Sequence, residues 1–237
     1  MGYLHKLCWG VSVFCLVAAL ESMGYAAAVS GKVLFEGTAS EAEQLDMAAD
    51  PTCAALHPGG LNSEEVVVNP NRTLKNVFVY VKSGLEGQVF DPPKEAVLLN
   101  QEGCHYVPHV FGVQAGQSIE ILNSDATLHN VHAVATVNKE FNLGMPIQGM
   151  KLKKTFDKPE VMAKFKCDVH PWMSAYAGVV DHPFFSVTNE EGVFEIKDLP
   201  PGDYVLESWH EKYGSQTQSI SVGQEDLSDI SFQYSAT

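Results

Sequence analysis

A run of alternating side chains that ends in a short loop constrains this chain more than any other feature. Val161, Ala163, Phe165 and Cys167 recur at every second position, with lysines between the last three. A period of two predicts a β-strand. This register turns the Cys167 side chain toward the protein interior, so the strand delivers a thiol to the inside of the fold.

The loop that follows this strand supplies three potential metal ligands. Residues Cys167–Met173 present the thiol of Cys167, the imidazole of His170 and the thioether of Met173. A single-copper electron-transfer site uses two His and one Cys in a trigonal plane, with a weak axial Met. The second imidazole is expected from a distant strand end. His129 suits that place because it follows a polar turn and begins an apolar run.

These two segments together resemble the cupredoxin family of blue copper proteins, in its amicyanin- and plastocyanin-like branch. The loop has the Cys-x-x-His-Pro-aromatic-Met spacing, the upstream stretch reads His-Asn-Val-His, and the likeness covers residues 77–180. The resemblance implies a Greek-key β-sandwich with one type 1 copper per chain. It implies equatorial ligands His129, Cys167 and His170, with Met173 as the axial ligand.

The resemblance also assigns roles around the copper ligands. Asn130 is expected to tie the two ligand loops together, and His132 matches a family histidine that is not a ligand. The electron is expected to enter through an exposed edge of His170. Residues 171–172 and the loop 145–150 would then form an apolar docking patch around that edge.

Other metal and cofactor chemistry fits the sequence less well. A binuclear copper centre needs a second cysteine in the ligand loop, and multicopper oxidases need His-Cys-His pairs. A c-type haem needs Cys-x-x-Cys-His. The sequence has none of these. The remaining alternative is a chance Cys-x-x-His in which Cys167 is a buried free thiol.

Residues 1–28 are predicted to form a signal peptide. Lys6 precedes an apolar run from 7 to 20, and small residues at 26–28 offer a cleavage site. A retained anchor is the alternative, although the run is short for a membrane span. The chain is therefore expected to be periplasmic or otherwise exported, with no membrane span after cleavage.

Cleavage would leave an odd number of cysteines. Pairing Cys53 with Cys104 as a disulfide leaves Cys167 free to bind metal as a thiolate. The open alternative is a second metal site that uses the same two cysteines. Its further ligands would come from three nearby histidines, His57, His105 and His109.

Regular turns and short strands from residue 183 onward indicate a second β module. Residues 188–196 and 199–206 resemble the carboxypeptidase regulatory-like β-sandwich, which implies a small transthyretin- or Ig-like fold without catalysis of its own. The chain is thus predicted to be all-β. A cupredoxin sandwich with an N-terminal extension would span 29–182, and this module would span 183–237. A short helix is expected at 39–49.

Single-electron transfer is the function that these features favour, and no enzymatic activity is predicted. The formal net charge of −14 disfavours binding to nucleic acid or anionic membranes and suits a partner with a basic face. Expected partners are a c-type cytochrome or a respiratory or dehydrogenase complex. The alternatives are a copper-binding carrier or delivery protein without electron transfer, and a structural surface-interaction protein.

Overall fold

The structure is a computed structural model that describes residues 26–39 and 41–236, together with residue 2. The predicted signal peptide falls almost wholly outside these residues and stays a prediction. Within the described ranges, no helix is long and apolar enough to cross a membrane.

Sixteen strands and a short helix make up the regular structure of the described residues, which confirms the all-β prediction. The helix α1 spans Pro51–Leu56. The first eight strands are β1 (Ala27–Glu36), β2 (Phe78–Ser83), β3 (Val97–Glu102), β4 (His105–Val107), β5 (Val110–Gln114), β6 (Ser118–Asn123), β7 (His129–Val134) and β8 (Phe141–Met145). The others are β9 (Lys151–Thr155), β10 (Glu160–Lys166), β11 (Ser174–Val180), β12 (Phe185–Val187), β13 (Val193–Leu199), β14 (Gly202–His210), β15 (Gly214–Val222) and β16 (Leu227–Ser235).

Helix α1 lies after the segment where the sequence predicted a helix, so the prediction for 39–49 is wrong. The helix begins where Asp50 caps it, accepting hydrogen bonds from the backbone N–H groups of Thr52 and Cys53 at 2.8 and 3.2 Å. Pro51 fits the first turn, where its missing N–H costs nothing. The cap therefore fixes both the start of the helix and the position of the Asp50 carboxylate.

The ligand segments lie in a sandwich of two sheets. One sheet has the order β5-β11-β10-β7-β8 and the other the order β4-β3-β6-β9. Alternate residues of β6, including Ile119 and Ile121, are buried between the sheets. Phe165 lies in the same core, with the rings of Phe111 and Phe156 centred 5.8 and 6.0 Å from it.

The alternation predicted for β10 holds only in its second half. Ala163, Phe165 and Cys167 are buried, as expected, but Val161 is 38% exposed. The register with β11 shifts between Glu160 and Ala163. Side chains before the shift therefore do not alternate in step with the buried positions after it. The inward register of Cys167 is unaffected because it is set after the irregularity.

A second sandwich combines the two ends of the chain, with sheets ordered β13-β1-β16 and β12-β2-β14-β15. Strand β1 runs parallel to β16, for example with Val33 opposite Phe232, and β2 pairs with β12 and β14. The linear division at residue 182 is thus corrected, because residues 27–36 and 78–83 pair with the C-terminal strands. Strand β1 lies between β13 and β16, and β2 lies between β12 and β14, so residues 183–237 alone would leave a gap in the middle of each sheet.

Where the two sandwiches meet, aromatic rings of the second pack directly against glycines of the first. Phe78 of β2 and Phe185 of β12 pack against β5 and β11 together with Val110 and Val180. A Cβ atom placed on Gly178 would lie 2.3 Å from the Phe78 ring, and one on Gly112 would lie 2.2 Å from the Phe185 ring. The glycines are therefore required for this close approach.

Candidate metal centre

Neighbouring strands bring the predicted ligand segments to one end of the first sandwich. Strands β7 and β10 are antiparallel, with His132 opposite Lys166. His129 at the start of β7 and Cys167 directly after β10 therefore lie at the same end of the sheet. The loop 167–173 then turns back into β11, and its return carries His170 to the same place.

Three of the four predicted ligands converge. The Nδ1 atoms of His129 and His170 are 2.9 Å apart, and the Cys167 Sγ atom is 3.8 Å from the His170 Nδ1. One atom from each of the three residues lies within 4.8 Å of the others. All three side chains are buried, with at most 2% of each exposed. Two imidazole nitrogens and a thiolate at this spacing fit a single copper ion.

Met173, the fourth predicted ligand, closes the loop. Its backbone N–H donates to the His170 carbonyl at 2.9 Å, and its carbonyl accepts from the Cys167 N–H at 3.2 Å. Its side chain is fully buried in the same core as Cys167. A buried thioether is compatible with the weak axial ligand of a blue copper site, and that role for Met173 stays a prediction.

The surroundings of Cys167 favour its thiolate. Burial raises the pKa of the thiol, but hydrogen bonds from His129 and from backbone N–H groups lower it overall. The backbone donors include those of Asn130 at 3.5 Å and His170 at 3.4 Å from Sγ. The thiolate is the form that binds metal, so the protein prepares this side chain for coordination.

Asn130 joins the two ligand loops through its side chain. Its Oδ1 atom accepts hydrogen bonds from the Asp168 N–H at 2.6 Å and the Val169 N–H at 3.3 Å, and it lies 3.2 Å from the Cys167 Sγ atom. Its Nδ2 atom donates to Asn142 at 2.6 Å. These bonds hold the loop after β10 against the start of β7, as a residue linking two ligand segments should.

His132 lies outside the ligand group. Its Nδ1 atom is 3.0 Å from an Asp168 carboxylate oxygen, and its Nε2 atom is 2.6 Å from Glu140. The side chain is 15% exposed. Both ring nitrogens therefore contact carboxylates near the surface and not the Cys167 sulfur.

Sequence reasoning missed two carboxylates on the far side of the imidazoles. His170 Nε2 lies 2.9 Å from Asp50, and His129 Nε2 lies 2.9 Å from Asp125. The hydrogen bond to His170 holds the pKa of Asp50 at about 2. Burial lowers the pKa of His129, but bonds to Asp125 and Cys167 raise it overall to about 9. Asp125 lies in the polar turn before His129, and Asp50 precedes a proline, so each carries a local signal.

Cys53 and Cys104 form a disulfide, which confirms the predicted pairing. The alternative of a second metal site at these cysteines is wrong, because each sulfur is bonded to the other. The nearby histidines have other contacts: His57 lies 2.7 Å from the Gly103 carbonyl, and His109 lies 2.5 Å from Glu211.

The disulfide holds an N-terminal segment over His170. That imidazole is only 2% exposed, with Asp50 on its Nε2 atom and the Cys53 sulfur 3.7 Å away. The ring of Trp172 is centred 5.0 Å from it. The expected exposed edge of His170 is therefore wrong, because residues far upstream in the sequence cover it.

No family model and no curated protein matches the chain. Among solved structures, a copper-containing nitrite reductase from Thermus scotoductus SA-01 matches with 20% identity and a TM-score of 0.35, covering 41% of this chain and 24% of that one. A purple cupredoxin from Nitrosopumilus maritimus matches with 19% identity and a TM-score of 0.31, covering 35% and 98%. The Cu(I) form of an amicyanin variant matches with 24% identity and a TM-score of 0.32, covering 44% and 98%. At these TM-scores the likeness establishes neither fold nor function for this chain.

Proposed function

We propose that the chain is an exported mononuclear blue-copper protein that transfers single electrons between redox partners. The observation that carries the proposal is the convergence of two buried imidazole Nδ1 atoms on the buried Cys167 sulfur. Bound copper would supply a one-electron couple between Cu(II) and Cu(I). His129, Cys167, His170 and Met173 would hold it.

The chain holds these ligands in one arrangement. Two paired strands fix His129 and Cys167, and Asn130 fastens the loop between Cys167 and His170. Burial excludes water from all three side chains. A site fixed in this way changes its geometry little when its charge changes, which favours fast electron transfer over release of the metal.

An electron would pass between the site and the surface beside the covered His170 edge. Trp172 is half-buried, and its ring is centred 5.0 Å from that of His170. It therefore offers an aromatic route outward. The net charge of −14 favours a partner with a basic face, such as a c-type cytochrome or a respiratory or dehydrogenase complex. Periplasmic or other exported localisation is part of the proposal, and rests on residues 1–28.

Titration of the purified, metal-free chain with Cu(II) tests the proposal. We expect one equivalent to produce an intense visible band from charge transfer between Cys167 and copper. Cys167→Ser should abolish the band while the variant remains folded by circular dichroism, and His132→Ala should keep it. Loss of the band in His132→Ala with retention in Cys167→Ser would overturn the ligand assignment. A colourless, readily exchanging copper would instead favour a copper carrier.

A further inference from the structure

In both imidazoles of the candidate centre, the outward-facing nitrogen contacts a carboxylate. In His129 and in His170 the Nδ1 atom faces inward, while the Nε2 atom lies 2.9 Å from an aspartate oxygen. Asp50 and Asp125 thus occupy equivalent places on opposite ligands. The same contact on both imidazoles of one site points to a shared role.

Asp50 is fixed by bonds unrelated to His170. Its Oδ1 atom accepts hydrogen bonds from the first turn of α1, at the Thr52 and Cys53 N–H groups. Its Oδ2 atom accepts from the Thr127 hydroxyl at 3.2 Å and faces His170. One oxygen therefore anchors the carboxylate and the other is aimed at the ligand.

Asp125 is fixed in a comparable way. Its two oxygens accept from the Gly103 N–H and the Cys104 N–H, each at 2.8 Å. The oxygen bonded to Cys104 also faces His129 Nε2. The residue is buried, so bulk water screens its charge only weakly.

The disulfide couples these two anchors. Cys53 belongs to the turn that Asp50 caps, and Cys104 donates its N–H to Asp125. One covalent bridge therefore joins the segment behind His170 to the segment behind His129. We call Asp50, Asp125 and the bridge the carboxylate clamp.

We propose that the carboxylate clamp positions both imidazoles of the copper site and lowers its reduction potential. A carboxylate that accepts a hydrogen bond from Nε2–H fixes the tautomer in which Nδ1 is free to bind metal, and it makes the imidazole a stronger ligand for the metal. Two negative charges behind the ligands stabilise Cu(II) relative to Cu(I). The inference rests on the proposed copper function and adds the N-terminal segment to its site.

Substitutions at Asp50 separate the contact with His170 from the helix cap. Asp50→Asn keeps an oxygen for the helix cap, since Asn caps helices as well as Asp, but it removes the charge and places an NH2 group opposite His170. Asp50→Ala removes the cap as well. The matched control is Asp46→Asn, an exposed aspartate on the same segment whose side chain accepts a hydrogen bond from the Ala48 N–H.

We expect the reduction potential of the copper-loaded protein to rise in Asp50→Asn and in Asp125→Asn, and to stay at the wild-type value in Asp46→Asn. Asp50→Ala should release copper about 10–100-fold faster than wild type. Equal potentials in Asp50→Asn and Asp46→Asn would overturn the electrostatic role. An unchanged release rate in Asp50→Ala would overturn the positioning role.

A second measurement does not depend on copper. Nitrogen NMR of the metal-free chain should show His170 protonated at Nε2 and not at Nδ1, with that preference lost in Asp50→Ala. The opposite tautomer in wild type would overturn the clamp. If wild type showed the expected tautomer but formed no coloured copper site, the proposed function would fail while the clamp geometry stood.

Discussion

The bridge between Cys53 and Cys104 should account for a large share of the chain's stability. The two cysteines are 51 residues apart, and closing a loop of that length in the unfolded chain is worth about 4 kcal/mol. Both sulfurs are buried, so their removal also loses packed contacts with Met47 and the neighbouring side chains. Since domains unfold at about 5–15 kcal/mol, the loss is a major fraction of the total.

Urea unfolding of the metal-free chain measures this contribution. We expect the variant Cys53→Ala/Cys104→Ala to unfold with about 4 kcal/mol less free energy than oxidised wild type. Reduced wild type is the control, since it keeps both sulfur atoms but lacks the cross-link, and it should lose nearly as much. Free energies of unfolding within about 1 kcal/mol of oxidised wild type, for both proteins, would refute the loop-closure reasoning.

Three further predictions address the fold and the site. Gly178→Ala should destabilise the chain by about 1–3 kcal/mol in urea unfolding because its methyl group would overlap a buried ring, whereas Gly144→Ala, which meets nothing within 4 Å, should not. Glu160, held at a pKa of about 2 by backbone N–H donors against the opposing effect of burial, binds fewer protons folded than unfolded between pH 2 and its ordinary value of 4.5. Wild-type stability should therefore fall as pH drops through that window, and thermal melts of Glu160→Gln should show a flatter acid limb. Asn130→Ala should release copper about 10–100-fold faster than wild type in a chelator assay, while Asn142→Ala, at the outer edge of the same network, should stay close to wild type.

The ligand set could be predicted from sequence because its signals are local. Cys167, His170 and Met173 share one loop, and the alternation before Cys167 gives the direction of its side chain. His129 is distant, yet it begins an apolar run after a polar turn, which is typical of a strand end. The structure brings it to the loop through the pairing of β7 with β10.

The cover over His170 could not be predicted in the same way. Asp50 is 120 residues from His170 in sequence, and long-range contacts such as the disulfide hold its segment beside that imidazole. Residues 50–51 do carry a local helix-start signal, because an Asp suits the N-cap and a Pro suits the first helical turn. That signal locates a cap, but it says nothing about which distant side chain the second carboxylate oxygen will meet.

The pairing of strands from the two ends of the chain could not be predicted from the sequence either. Strand β1 alternates buried and exposed residues like many half-buried strands. Nothing in that pattern names β16, almost 200 residues later, as its parallel neighbour. The boundary predicted at 182 rests on the regular turns and short strands that follow it. The sheets, however, are completed by long-range contacts.

Spectroelectrochemistry of the copper-loaded protein tests the central claim most directly. If His129, Cys167 and His170 hold one redox-active copper, the visible band should bleach on uptake of one electron per chain and return on reoxidation over repeated cycles. A band that never forms, or copper that leaves the protein on reduction, would contradict the account.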